Sequence, residues 1–216
     1  MNYYKRLLIV IVTIVIQLPV LGSISYAQND DYDLPDIGIN IYKSELKSRS
    51  VDDIHSEAAK DVREGNYDAA IDLLDYIINR IENNPAVKLS NYVPKIYSNR
   101  ARAKLFNGDF YGALEDANRA VKLAGERAQR NKGYRHSDSY IFFNRGMVRQ
   151  DMRRNKKALG DYNTAIALNP NIGYYYNDQG IVLLRLGREN EACKSFRKAI
   201  DMGVKESKKP YNSVCQ

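Results

Sequence analysis

Residue types that carry catalytic or metal chemistry are few in this chain of 216 residues. The sequence has two histidines, His55 and His136, and two cysteines, Cys193 and Cys215. Neither histidine has a cysteine or paired carboxylates at the spacing that a metal site requires. The Asp and Glu residues stand singly along helical stretches, where a solvated surface accounts for them.

Sequence motifs of known catalytic sites do not occur either. We find no glycine-rich phosphate loop, no Gly-x-Ser-x-Gly elbow around a nucleophilic serine and no His-Glu-x-x-His helix. We therefore predict that the protein is not an enzyme and that it has no cofactor and no metal site.

The first 27 residues have the order of regions that is typical of a secretory signal peptide. Two basic residues precede an apolar run over residues 7–18, and Ser25-Tyr26-Ala27 offers small residues at the two positions that a signal peptidase recognises. We predict cleavage after Ala27 and a periplasmic or secreted mature protein. An uncleaved anchor is the alternative, but it needs about 20 apolar residues, and this run is shorter and meets Pro19 early.

The net charge is basic, at +7 for the chain, and it becomes +5 when residues 1–27 are removed, because they hold two basic and no acidic residues. A basic balance suits nucleic acid, an anionic membrane or acidic partners. Since an exported protein rarely meets nucleic acid, we expect no nucleic-acid partner. We also expect no stable membrane insertion after signal cleavage.

The two cysteines would lie in the periplasm or outside the cell if the protein is exported. A lone pair in an exported protein usually forms a disulfide. Gly203 lies about midway between Cys193 and Cys215, so a turn there would bring the C-terminal tail back beside the last long helix. Two buried free thiols are the alternative.

Internal repetition is the strongest pattern in the sequence. Five positions recur after 34 residues with residues of the same kind. They are Phe142, Gly146, Ala158, Tyr162 and Ala165, followed by Tyr176, Gly180, Ala192, Phe196 and Ala199. The spacings of 12 and 7 between the small residues recur at Ala101, Ala113 and Ala120, and the spacing of 12 recurs from Ala58 to Ala70.

Each repeat is predicted to form two amphipathic helices, because apolar residues recur at intervals of three and four. Gly or Ala is required where the two helices cross, since a larger side chain would push their axes apart. Gly and Asn between the helices suit the left-handed conformation that ends a helix, and Asn or Asp can cap the next one. These turns are Gly65-Asn66-Tyr67, Asn107-Gly108-Asp109-Phe110 and Leu186-Gly187-Arg188.

On these residues the chain resembles the tetratricopeptide-repeat family, as an exported protein of bacterial type. The repeat domain spans residues 51–206, with repeats at about 51–84, 94–127, 139–172 and 173–206. The resemblance implies an all-α solenoid of about four stacked helix-turn-helix repeats in a right-handed superhelix, with a C-terminal cap.

The repeats differ in how well they match the family pattern. The third and fourth fill nearly every signature position. The second has Ala117 where a large aromatic residue is usual. The first is the weakest, with Ile54 and Leu74 in aromatic positions and Ile77 in a small one.

Segments outside the repeats are expected to be less regular. Residues 28–50 are predicted to be a flexible tether that becomes helical near Ser50, and residues 207–216 a cap or tail. The insertions at about 85–93 and 128–138 are expected to lengthen the preceding helices or to form edge loops.

The resemblance also implies a partner-binding groove, because the first helices of this family line a concave surface that holds peptides. We therefore predict a non-catalytic protein–protein interaction scaffold of the cell envelope, whose peptide or protein partner the sequence does not identify. The candidate contact residues are Asn99, Arg102, Tyr140, Phe143, Asn144, Tyr174, Asn177 and Asp178, with Lys95, Ser98, Met147 and Ile181 beside them. For Tyr140 and Tyr174 the alternative is packing against neighbouring helices.

A basic cluster at the turn of the third repeat supports a rival function. It consists of Arg149, Arg153, Arg154, Lys156 and Lys157. In this alternative the protein binds anionic envelope polymers or lipids through the cluster. The simpler interpretation is a solvated turn whose charges keep the protein soluble.

Overall fold

The computed structural model describes residues 44–83 and 92–215. These ranges are almost entirely helical and contain no strand. The helices are α1 Val51–Glu64, α2 Tyr67–Glu82, α3 Val93–Phe106, α4 Phe110–Arg130, α5 Ser139–Asp151, α6 Asn155–Leu168, α7 Gly173–Arg185, α8 Glu189–Asp201 and α9 Lys208–Val214. Residues 44–48 are also helical, and short 3-10 turns occur at His136–Asp138 and Lys205–Ser207.

Helices α1 to α8 form four hairpins stacked in a row, so the predicted all-α solenoid is confirmed. The second helix of each hairpin packs on the first helix of the next, and apolar clusters are buried along the stack, the two largest mainly within α1 to α5 and within α6 to α8. The predicted signal peptide, residues 28–43 of the predicted tether and most of the first insertion lie outside the described residues. The second insertion lengthens the preceding helix and also forms a loop, because α4 runs on to Arg130 and a loop follows.

The first helices lie on the inner side of the stack. α1 contacts α3, α3 contacts α5 and α5 contacts α7, whereas the second helices within the stack contact mainly the first helices beside them. Elements that approach each other more closely lie on the inside of a curve. The exposed side of α1, α3, α5 and α7 is therefore the concave surface, which we call the groove.

Glycine is required at the crossing points of the third and fourth hairpins. A Cβ atom added to Gly146 would lie 2.5 Å from Cε1 of Tyr162, and one added to Gly180 would lie 2.6 Å from Cε1 of Phe196. Both rings are fully buried and have no room to retreat. In the second hairpin Ala101 and Ala117 occupy the two corresponding positions, and both are buried.

Three of the four hairpin turns place glycine in the left-handed conformation, as predicted. The φ angles are 82° at Gly65, 89° at Gly108 and 72° at Gly187. In the third turn Arg153 takes the same place with a φ of 59°. This conformation costs a non-glycine residue roughly 1 kcal/mol because its Cβ crowds the backbone.

The C-terminal end is closed by α9, which packs on α8. The chain turns at Gly203, where φ is 88°, and the structure places Cys193 and Cys215 in the predicted disulfide with their Cα atoms 5.6 Å apart. Pro210 lies in the first turn of α9, where a helix tolerates a residue without an N–H group. Among the described helices, none has the length and apolar content needed to span a membrane.

The crossing points lead to a first prediction about stability. Gly180→Ala should lower the free energy of unfolding by about 1–3 kcal/mol, because its methyl group overlaps the enclosed ring of Phe196. Gly160→Ala is the matched control, since Gly160 lies within α6 with no atom near its added Cβ. It should raise stability by about 0.5–1 kcal/mol, because alanine favours the helix. Urea denaturation measures both changes, and equal stability of the two variants would contradict a tight crossing.

Candidate partner-binding groove

A ladder of two hydrogen bonds runs along the inner helices and joins the first repeat to the second and the second to the third. Asn99 on α3 lies with its Nδ2 atom 2.9 Å from Nε2 of His55 on α1. At the next step Asn144 on α5 donates to Oγ of Ser98 on α3, also at 2.9 Å. The two links use corresponding positions of successive repeats. They fix the orientation of each first helix against its neighbour.

Burial corrects the predicted roles of Asn144 and Asn177 as partner contacts. Asn144 is 4% exposed and Asn177 is 9% exposed, so neither side chain is available to a partner. Asn177 accepts a hydrogen bond from Oγ of Ser207 at 2.7 Å and thereby holds the segment that leads into α9. These amides stabilise the stack because a buried polar group needs a partner within the protein.

Two of the three predicted groove aromatics pack within the solenoid. The ring of Phe143 lies 4.7 Å from that of Tyr175 and 5.6 Å from that of Tyr162, measured between centroids. Tyr140 packs against the N-terminal core, and its hydroxyl is buried without a hydrogen-bond partner among the described residues. Burial raises the pKa of Tyr140 above its usual range. The packing alternative therefore holds for Tyr140, whereas Tyr174 is 54% exposed and projects from α7.

The side chains that remain accessible give the groove two chemically different ends. At the end formed by α3, Arg102 is half-buried and its guanidinium lies 5.7 Å from the ring centroid of Phe106. The Nε atom of Arg102 is buried and has no hydrogen-bond partner among the described residues. At the end formed by α7, Tyr174 stands one helical turn from the half-buried carboxyl group of Asp178.

Asp178 has an unusual protonation equilibrium for a carboxyl group. Burial raises its pKa to about 6, and the nearby carboxylate of Asp151 adds to the rise. The hydrogen bond from Nδ2 of Asn177, at 2.8 Å, and the charge of Arg185 oppose the rise. The carboxyl group of Asp178 is therefore mostly charged at neutral pH and mostly uncharged near pH 5.

The sequence analysis missed a pair of buried ion clusters behind the groove. Arg100 donates through Nε and Nη2 to both carboxylate oxygens of Asp116, at 2.8 and 2.6 Å. Arg145 likewise donates to both carboxylate oxygens of Asp161, from Nε to Oδ2 at 3.2 Å and from Nη2 to Oδ1 at 2.7 Å. Both aspartates are 3% exposed. The spacing of 16 residues, shared by the two repeats, is the signal that could have revealed them.

A second cation completes each cluster and changes the interpretation of Arg149. Lys104 lies 3.0 Å from Asp116, and Arg149 lies 2.6 Å from Asp161 at the corresponding position. Arg149 was predicted to belong to the exposed basic cluster. It is instead half-buried and neutralised by a buried carboxylate, so the exposed cluster consists of Arg153, Arg154, Lys156 and Lys157.

The described residues contain no group of three or more His, Cys, Asp and Glu side chains that could hold a metal ion.

The protein is a helical-repeat solenoid. Its hairpins of two helices stack on one another, cross at small residues and present their first helices on one side.

Comparisons with known proteins identify the kind of repeat. The model of the family described as tetratricopeptide repeat matches residues 173–202. The human protein named tetratricopeptide repeat protein 6 is 27% identical over 104 residues, which are 48% of this chain and 18% of the human protein. The match thus spans less than a fifth of that relative. Residues 173–202, which form most of the fourth hairpin, thus match the tetratricopeptide repeat, and the hairpins before them have the same two-helix architecture.

Solved structures show the same fold. MamA is 22% identical with a TM-score of 0.56, and the match covers 80% of this chain and 91% of MamA. The hetero-tetramer Cut9–Hcn1 of the APC/C is 13% identical with a TM-score of 0.65, over 84% of this chain and 33% of the matched chain. At these identities the likeness concerns the fold alone.

The raised pKa of Asp178 leads to a second prediction. Because the folded state holds this proton more tightly than the unfolded state, Asp178 favours folding below about pH 4 and loses that effect as the pH rises through about 6. Asp178→Asn keeps the acceptor for Asn177 and removes the charge. It should raise the free energy of unfolding at pH 7 by up to about 3 kcal/mol, the equivalent of about two pKa units.

Denaturation of both proteins at several pH values checks this prediction. The stability difference between variant and wild type should be small at pH 4 and should grow until about pH 6.5. A difference that is the same at every pH would contradict it.

Proposed function

We propose that this protein is a non-catalytic scaffold of the cell envelope that binds a peptide or protein partner in its groove. Tyr174 is the observation that carries the proposal. More than half of this large side chain faces solvent on the inner helix α7, although the aromatic residues beside it are packed. Exposed aromatic side chains on a rigid surface are typical contact points of protein interfaces.

The charges of the groove favour a partner segment of a particular polarity. Arg102 has an unpaired donor at the α3 end, and Asp178 provides a carboxylate at the α7 end. A peptide with an acidic group facing α3 and a basic group facing α7 would satisfy both. The hydrogen-bond ladder holds the helices in place before binding, so ordering the receptor costs little free energy.

A third prediction tests the groove with a peptide selected from a random displayed library on the wild-type protein. Tyr174→Ala should weaken its binding by tenfold or more, because a contact of about 1.4 kcal/mol or greater is lost. Tyr111→Ala is the matched control, since Tyr111 is 79% exposed but lies at a hairpin turn away from the groove. Fluorescence anisotropy measures affinity, and neither variant should lower the melting temperature.

Charge reversal at Arg153 and Arg154 completes the design. These residues lie at the turn of the third repeat, so reversal should leave peptide binding intact if the groove holds the peptide. Loss of binding on reversal, with no effect of Tyr174→Ala, would reject the groove and favour the basic cluster.

The location in the envelope rests on two supports. The first 27 residues match the pattern of a signal peptide, and a disulfide such as Cys193–Cys215 persists in oxidising compartments. Both observations concern export of the protein and not the identity of its partner.

A fourth prediction tests export by intact-mass measurement of the protein released from the periplasm or medium. The mature chain should begin at Gln28, less one ammonia if that glutamine cyclises. Its mass should be two hydrogens below that of the reduced protein because the disulfide is formed. Full-length chain in washed membranes, or two thiols that can be alkylated, would contradict export as proposed.

A further inference from the structure

Each of the four hairpins has one turn between its two helices, and these four turns lie along one edge of the solenoid. We call this edge the turn edge. Adjacent turns are in contact. Asn107 in the second turn donates to Oδ1 of Asp68 beside the first turn, at 2.9 Å. Leu105 and Ala113, which flank the second turn, pack with Val148 just before the third. The turn edge is therefore one continuous surface of the molecule.

Aromatic side chains are exposed at the second turn of this edge. Phe106 is 43% exposed, Phe110 is 42% exposed and Tyr111 is 79% exposed. Tyr67 of the first turn stacks on Phe106 with ring centroids 5.4 Å apart, which extends the apolar surface. Turns are usually polar, so a cluster of exposed rings there indicates a surface that meets an apolar partner.

Basic side chains are exposed at the third turn, next to the rings. Arg153, Arg154, Lys156 and Lys157 all face solvent, and no ion pair neutralises them in the part of the chain that the structure describes. Arg149 differs because Asp161 binds it. The third turn thus presents four unneutralised positive charges to a partner.

Arg153 lies at this edge with a strained backbone conformation. It occupies the left-handed position that glycine fills in the other three turns. Glycine would relieve the strain, and the turn would still carry the charges of Arg154, Lys156 and Lys157. A positive charge at a strained position favours a role in binding over simple solvation.

We propose that the turn edge docks on the surface of a membrane that contains anionic phospholipid. The charges of the third turn would contact the phosphate groups, and the rings of the second turn would enter the interface between headgroups and acyl chains. This is the division of roles seen in proteins that lie on a bilayer. A soluble anionic polymer would explain the charges but would leave the exposed rings without a partner.

Flotation with vesicles tests the proposal on the chain without residues 1–27, whose apolar run would bind lipid by itself. Vesicles of equal parts phosphatidylglycerol and phosphatidylcholine should bind the protein, and vesicles of phosphatidylcholine alone should bind it far more weakly. Binding should fall when the salt concentration rises from about 0.1 M to about 0.5 M, because ions screen the charges. Equal binding to both kinds of vesicle would overturn the proposal.

Arg153→Gly is the decisive variant because it separates binding from folding. It should raise the melting temperature by relieving the left-handed strain, and it should weaken binding to the anionic vesicles by about fivefold, the usual effect of one basic side chain. A more stable protein with unchanged vesicle binding would show that Arg153 has no part in docking and would overturn the proposal.

The aromatic side chains separate a membrane from a soluble polymer. Phe110→Ser with Tyr111→Ser should reduce binding to the anionic vesicles and leave binding to soluble polyphosphate unchanged. If the double variant binds vesicles as the wild type does, the edge is a polymer site and the membrane proposal fails. Tyr174→Ala is the control, since it should affect the groove peptide but not the vesicles, so the two proposals fail independently.

Discussion

The close approach of the two helices in each hairpin is the constraint on which the rest of the structure depends. Gly146 and Gly180 allow the rings of Tyr162 and Phe196 to lie against the backbone of the opposite helix. The rings are then fully enclosed, and each hairpin becomes a rigid unit with a defined crossing. Similar units stack regularly, and regular stacking brings the first helices into the inner row that forms the groove.

Buried polar contacts complete that regularity by fixing the relation of one helix to the next. The clusters around Asp116 and Asp161 each bind two cations behind the groove, and the ladder of Asn99 and Asn144 links the inner helices in front. Removing one partner of such a cluster leaves an uncompensated buried charge. These residues therefore fix how each helix lies against the next, and with it the shape of the groove.

The fold was predictable from the sequence because its signals are local. Small residues at fixed spacing, glycines in the turns and a lone pair of cysteines each depend on a short stretch of chain. The accessibility of a groove residue depends on the neighbouring repeat, which spacing alone does not describe. Asn144 and Tyr174 both lie on first helices at positions predicted to face the groove. Asn144 is covered by Ser98 of the preceding repeat, whereas Tyr174 is 54% exposed among the residues that the structure describes. Arg149 was misassigned for the same reason, because its carboxylate partner lies on another helix.

The groove and the turn edge are separate surfaces, and a side-chain contact joins them. Arg102 belongs to the groove, and its guanidinium lies over the ring of Phe106, which is exposed at the turn edge. A cation held over an aromatic ring is bound more strongly when water is excluded from the contact. Docking of the edge on a bilayer would exclude water from Phe106 and so hold Arg102 more firmly in one orientation. A partner with an acidic group would then meet a better-ordered arginine, so the two surfaces would reinforce each other rather than compete.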